Sequence, residues 1–178
     1  DQNLHKDLNI ELRKHDILSD VIAETYKKNK LLINENKVCL GSDIYIDTDS
    51  ISIFKAGYFH GEVTNELVTK IVQTQDVKPT AKYSGCNFLV KSKTRTPKLK
   101  SIEETNFSNH IGISTLAFSS DNKFILWRQA ETSRKNAGLI MPTGSGSVNW
   151  KDWRKIGTDK TINSLVIMAM EREMLEES

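Results

Sequence analysis

The last segment of the chain constrains it most. From Ile162 to Glu177 there is neither proline nor glycine, and the second half, Glu171-Arg172-Glu173-Met174-Leu175-Glu176-Glu177, consists of strong helix formers. On a helix, side chains three and four apart share a face. Leu165, Val166, Ala169, Met170 and Met174 then make the side that packs on a core. Glu173, Glu176 and Glu177 project together, with Arg172 beside them. Three carboxylates on one surface repel each other unless a cation gathers them, and hard divalent ions such as Mg²⁺ take oxygen donors of this kind. A solvated acidic helix end is the plainer account of the same residues, and what precedes the helix decides between the two.

Composition sets the outer bounds. A chain of 178 residues holds one large or two small domains and buries a sizeable core. Its hydrophobic fraction of 38% and charged fraction of 27% suit a soluble globular protein. A formal charge of +2 is too small to argue for a nucleic-acid or membrane partner. No apolar run approaches the ~20 residues of a membrane helix, and no signal-peptide pattern opens the chain. Cys39 and Cys86 are too few for a disulfide framework or zinc cluster, so the expected setting is a reducing cytoplasm. The first residue is not Met and the last falls inside a helix with no capping residue, which reads as a piece of a longer polypeptide.

Residues 1 to about 30 read as an amphipathic helix, with Leu4, Leu8, Leu12, Leu18 and Ile22 at near-helical spacing. From Lys30 the period changes to two. Leu31-Leu32-Ile33, then Val38 and Leu40, Ile44 and Ile46, and Ile51 and Ile53 alternate as strands do, with Asn34-Glu35-Asn36 and Asp47-Thr48-Asp49-Ser50 as turns. Gly57-Tyr58-Phe59-His60-Gly61 suits a tight turn with core aromatics, or a loop that contacts a base or ribose. Thr64-Asn65 then caps a helix bearing Leu67, Val68, Ile71 and Val72. The stretch from Gln73 to Gly85 is loop-like, and Phe88-Leu89-Val90 is a short strand. Lys91 to Lys100 carries five positive charges and no acid, which suits a solvated connector or an electrostatic contact with phosphates. A domain boundary is placed near Phe107.

Beyond it the pattern is denser. Ile111 to Phe118 and Phe124 to Gln129 read as two strands of a hairpin around the turn Ser119-Ser120-Asp121-Asn122. Leu139-Ile140-Met141-Pro142 leads into Thr143-Gly144-Ser145-Gly146-Ser147, a glycine-rich loop that lets backbone groups approach phosphate or metal closely. It has neither the lysine of a P-loop nor the following helix of a dinucleotide fold. An insertion-like stretch from Val148 to Thr161 follows. Its Trp150 and Trp153 suit either stacking on a base or packing the insertion onto the core.

Hairpin, Pro-x-Gly loop and a helix ending Arg-Glu-u-x-Glu-Glu together resemble the Nudix hydrolase family, whose signature is G-x5-E-x7-R-E-u-x-E-E-x-G-u with u a bulky aliphatic residue. Arg172-Glu173-Met174-Leu175-Glu176-Glu177 matches the second half position by position, and Gly144 resembles the opening glycine. The distance from Gly144 to Arg172 is twice that of the pattern, so an insertion is implied. The intermediate glutamate has no clear counterpart, and Asp152, the nearest acid, receives no role. The resemblance covers about residues 111–178.

The expected fold class is α+β: an N-terminal helix and small β-rich region over 1–107, of unassigned role, then over 108–178 the first part of a Nudix-like α/β/α sandwich. The resemblance implies a Mg²⁺- or Mn²⁺-dependent pyrophosphohydrolase acting on a nucleoside diphosphate linked to another group. The catalytic set it implies is Arg172, Glu173, Glu176 and Glu177, with the three glutamates holding the metal and the arginine orienting a glutamate. A further carboxylate takes the proton of the attacking water. Gly144 and Gly146 are expected at the substrate, as are Arg128 and Arg134 near the hairpin's exit, although solvation explains the two arginines equally well. The expected partner is a nucleotide-type small molecule, with a homodimer left open, no membrane, and nucleic acid disfavoured. Two other readings stand beside this one: an inactive Nudix-like nucleotide-binding module, and a nucleic-acid contact protein working through Lys91 to Lys100.

Overall fold

The computed structural model describes residues 16–28, 33–45, 47, 49–73, 82–84, 90–91, 98–105, 107–133, 136–158 and 160–177. It is a mixture of helices and small antiparallel sheets, an α+β protein. The chain divides into two compact units, residues 1–110 and 111–178. Among the described residues, no helix is long and apolar enough to cross a membrane.

Among the described residues the first unit has helix α1 (Asp16–Lys28) and then strands β1 (Asn36–Leu40) and β2 (Ile53–Gly57), paired antiparallel with Val38 opposite Lys55 and Cys39 opposite Phe54. Three consecutive residues of β1, Lys37 to Cys39, are buried instead of alternating, so both faces of that strand are covered; Val38, Cys39 and Ala56 lie inside with Val63, Leu67 and Phe107. Burial pushes the Cys39 thiol up to about 12, so it is a packed side chain and not a nucleophile. The glycine-bracketed aromatic stretch is not a turn. Tyr58–Val63 forms helix α2, in which the His60 ring accepts a hydrogen bond from the Gly57 amide at 3.1 Å. The helix expected after Thr64 is likewise absent. Asn65–Leu67 makes a single 3-10 turn, and β3 (Ile71–Gln73) pairs with β4 (Lys82–Ser84). Asn65, Thr64, Ser108 and Asn109 hydrogen-bond one another, so the polar residues that read as a cap instead tie that turn to the chain 44 positions on. Ile33, Ile44 and Ile51, expected in strands, lie outside any strand, and Leu31-Leu32 lie outside the described residues. Two residues at each end of the basic stretch, Val90–Lys91 (β5) and Lys98–Leu99 (β6), pair as a hairpin. The start of the first predicted helix, Ile46, the Phe88-Leu89 part of the short strand and the middle of the basic stretch lie outside the described residues.

In the second unit the predicted strand 111–118 breaks at Leu116. Its first part, β7 (Gly112–Thr115), pairs with β11 (Gly144–Ser147), and its second, β8 (Ala117–Phe118), pairs with β9 (Phe124–Arg128). Strand β10 (Ile140–Pro142) completes the second sheet against β9. The Thr143 hydroxyl accepts from the Ala117 amide and donates to the Ile125 carbonyl, pinning the point where the chain changes sheets. Asn122, at φ 59°, turns the β8–β9 hairpin, and the side chains of β9 are exposed along its whole length.

The glycine-rich loop is thus strand β11. It leads through Val148 to a short helix, α3 (Trp150–Lys155), and then to α4 (Ile162–Glu177), the acidic helix with the bounds its sequence implied. Leu165 and Ala169 of α4 are fully buried with Val148, while Met174, expected inside, is 37% exposed.

Candidate metal centre

The site grows from two short-range facts about α4 and β11. Serine and glycine are poor strand formers, yet bare Cα atoms let a helix come close. A Cβ on Gly144 would lie 3.1 Å from Met174 Cγ and 3.3 Å from its backbone nitrogen. One on Gly146 would lie 2.1 Å from Glu173 Oε1. The room left by the two glycines is therefore filled by α4, and the carboxylate of Glu173 rests on the Cα of Gly146.

Arg172 organises the charges. Its Nε donates to Asp152 Oδ1 at 3.0 Å, and Nη2 to Asp152 Oδ2 and the Ser147 carbonyl, both at 3.1 Å. Its Nη1 lies 2.9 Å from Glu173 Oε1 and 3.0 Å from Glu176 Oε2. This planar fork is what arginine supplies and lysine does not. Exposure is graded outward, with side chains of Asp152, Glu173 and Glu176 at 1%, 12% and 59%. Asp152 also accepts from the Asn149 amide at 2.9 Å, which starts α3. Burial works against the Arg172 charge, but the Asp152 hydrogen bonds and the Glu173 carboxylate outweigh it and hold the guanidinium above the usual arginine range. It stays cationic wherever the fold survives.

One positive charge thus faces three carboxylates. Glu173 and Glu176 converge on the same nitrogen, and negative charge is in surplus over that one cation, a setting in which hard divalent ions take carboxylate oxygens. Among the described residues, no three His, Cys, Asp or Glu side chains are grouped to hold a metal ion. Glu177 closes the helix, and its side chain lies outside the described residues.

Of the other expected site residues, Arg128 is exposed on β9, where it donates to Glu131 at 3.1 Å and to the Gly138 carbonyl at 3.3 Å. Those two partners belong to its own turn. Arg134 lies outside the described residues. Asp152, given no role from sequence, is the buried anchor of Arg172. Its signal was present as Asn149 followed three residues later by Asp152, a helix-start spacing.

No family model, no curated protein and no solved structure matches this chain.

Proposed function

We propose that residues 111–178 carry the metal-holding part of a Mg²⁺- or Mn²⁺-dependent pyrophosphohydrolase of the Nudix type, within an α/β/α sandwich, acting on a nucleoside diphosphate linked to another group. The observation that supports it most is the fan of Arg172 onto Asp152, Glu173 and Glu176 beside the bare Cα of Gly146.

Carboxylate oxygens on one helix are the donors that a hard divalent ion takes. Glu173, Glu176 and Glu177 are the residues that would hold it. Asp152 and the Ser147 carbonyl fix the inner edge of the Arg172 guanidinium, so Arg172 restrains Glu173 and cannot follow it. Glu176, more than half exposed, is able to turn between Arg172 and an ion. When bound, a divalent ion neutralises phosphate oxygens and lowers the pKa of a coordinated water, which answers the resistance of a polyanion to an anionic nucleophile.

The test is phosphate release from a panel of nucleoside diphosphates bearing a second group, with Mg²⁺ and then Mn²⁺. Glu173→Gln and Glu176→Gln should each lower the rate by about a hundred-fold or more. Wild type and both variants equally inert with both metals would end the enzyme reading.

A further inference from the structure

The insertion between β11 and α4 presents a surface that the metal site does not use. Trp150 and Trp153 stand one turn apart on α3, both half-buried, their rings 6.5 Å apart and tilted 43°. The Lys160 ammonium lies 4.9 Å from the centre of the Trp153 ring. Lys151, Arg154, Lys155 and Lys160 are all exposed, and by helical periodicity Arg154 is the α3 cation that adjoins the indole side while Lys155 lies opposite it. Of the two acids in this segment, Asp152 is buried and bound to Arg172, and Asp159 lies outside the described residues. The described surface of α3 and Lys160 is therefore cationic and carries two indoles. Aromatic rings interleaved with lysine and arginine are the chemistry that takes a base by its face and its phosphates by charge.

Position adds to this. Asp152 sits between the two tryptophans in sequence and joins α3 to Arg172, and Arg172 contacts Glu173 and Glu176.

We infer that Trp150, Trp153 and Lys160 form the base-recognition element for a nucleotide: Lys160 leaves the face of Trp153 to pair, with Arg154, with the phosphates, and the base takes its place on that indole. Stacking tolerates any base, so this element selects for a nucleotide over a sugar phosphate and discriminates little among bases. As the base subsite of the substrate it rests on the reading of the metal centre, but binding by itself needs no metal, which allows the two to be tested apart.

The experiment is calorimetric titration of the full chain with ADP in EDTA, with ribose 5-phosphate as the probe that lacks a base. Trp153→Ala should weaken ADP about ten- to a hundred-fold, the loss expected of one stacked base, and leave ribose 5-phosphate unchanged. Lys160→Gln, on an exposed side chain that does not endanger folding, should weaken ADP about three-fold or more, and the loss should shrink as salt is raised. Failure of wild type to bind ADP, or ADP affinity unmoved in Lys160→Gln, overturns the inference. So does a single-stranded oligonucleotide binding far more tightly than ADP with a steep salt dependence, since that assigns the surface to nucleic acid. Hydrolysis of the nucleotide panel with ADP affinity indifferent to Trp153 and Lys160 sinks this inference and spares the metal centre. ADP binding that follows the predicted pattern in a chain without hydrolysis does the reverse.

Discussion

Gly146→Ala isolates the contact between strand and helix at the candidate site. The added methyl would stand 2.1 Å from Glu173 Oε1, far inside any tolerable approach, so something must move. The residue that gives way is Glu173, because its carboxylate is the end of a side chain, whereas the strand is tied to β7 on its other side. Moving it breaks the 2.9 Å ion pair with Arg172 in a mostly buried setting. Loss of a hydrogen bond to a charged group costs about 1.5–3 kcal/mol. Against this, alanine in place of a strand glycine restricts the unfolded chain and gains ~0.5–1 kcal/mol. Gly146 is not among the described glycines with positive φ, so no backbone strain enters. The net expectation is a loss of about 1–2 kcal/mol. In a Glu173→Ala background the obstacle is gone, and the same substitution should be neutral or stabilising by up to ~1 kcal/mol. The four proteins form a cycle, read by urea unfolding followed through tryptophan fluorescence, since Trp127, Trp150 and Trp153 all lie in residues 111–178. The coupling should be about 2 kcal/mol, well outside the ~0.5 kcal/mol scatter of independent sites. Equal destabilisation in both backgrounds would refute the argument, because the clash would then lie with the backbone or with another residue.

Two further outcomes follow from the same contacts. Asp152→Asn leaves Arg172 its links to Glu173, Glu176 and Ser147, so the loss should be about 2–3 kcal/mol, just under the range for breaking a fully buried pair; a change below about 0.5 kcal/mol in urea unfolding would contradict the ion pair. Cys39, in a Cys86→Ser chain, should react with a thiol reagent at pH 8 only as fast as the protein opens. Because its folded pKa is raised, its contribution to stability is intact below pH ~9 and declines as pH climbs toward about 12, so the urea midpoint should fall over that interval, and labelling within the mixing time at pH 8 would refute the burial.

What could be read in the sequence differed by element. Helix α4 was legible to the residue because propensity, an uninterrupted apolar seam and an acidic end all agree over sixteen positions. The hairpin around Asn122 was legible too, since a polar turn separates two β-rich runs. The break at Leu116 was not: Ile111 to Phe118 is one unbroken strand-like run, and the switch of sheets depends on Thr143, a distant partner. Strand β11 was hidden because Gly-Ser-Gly-Ser has loop propensity, and only the close approach of α4 explains why small residues belong there. Helix α2 was hidden by its glycines, Gly57 just before it and Gly61 within it, the latter set against the ring of His110. At the candidate site, the arginine and glutamates could be named from their spacing, but the depth of Asp152 belongs to the folded unit and to no local pattern.

Arg172 carries two duties at once. It laces the insertion helix to the acidic helix, and it dictates where the acids stand. Replacing it alters the seating of α3 on α4 and the placing of those carboxylates together, so neither can be tuned there alone. Glu176 is freer, since its outward carboxylate can be exchanged while the Asp152–Arg172 clasp beneath stays fastened.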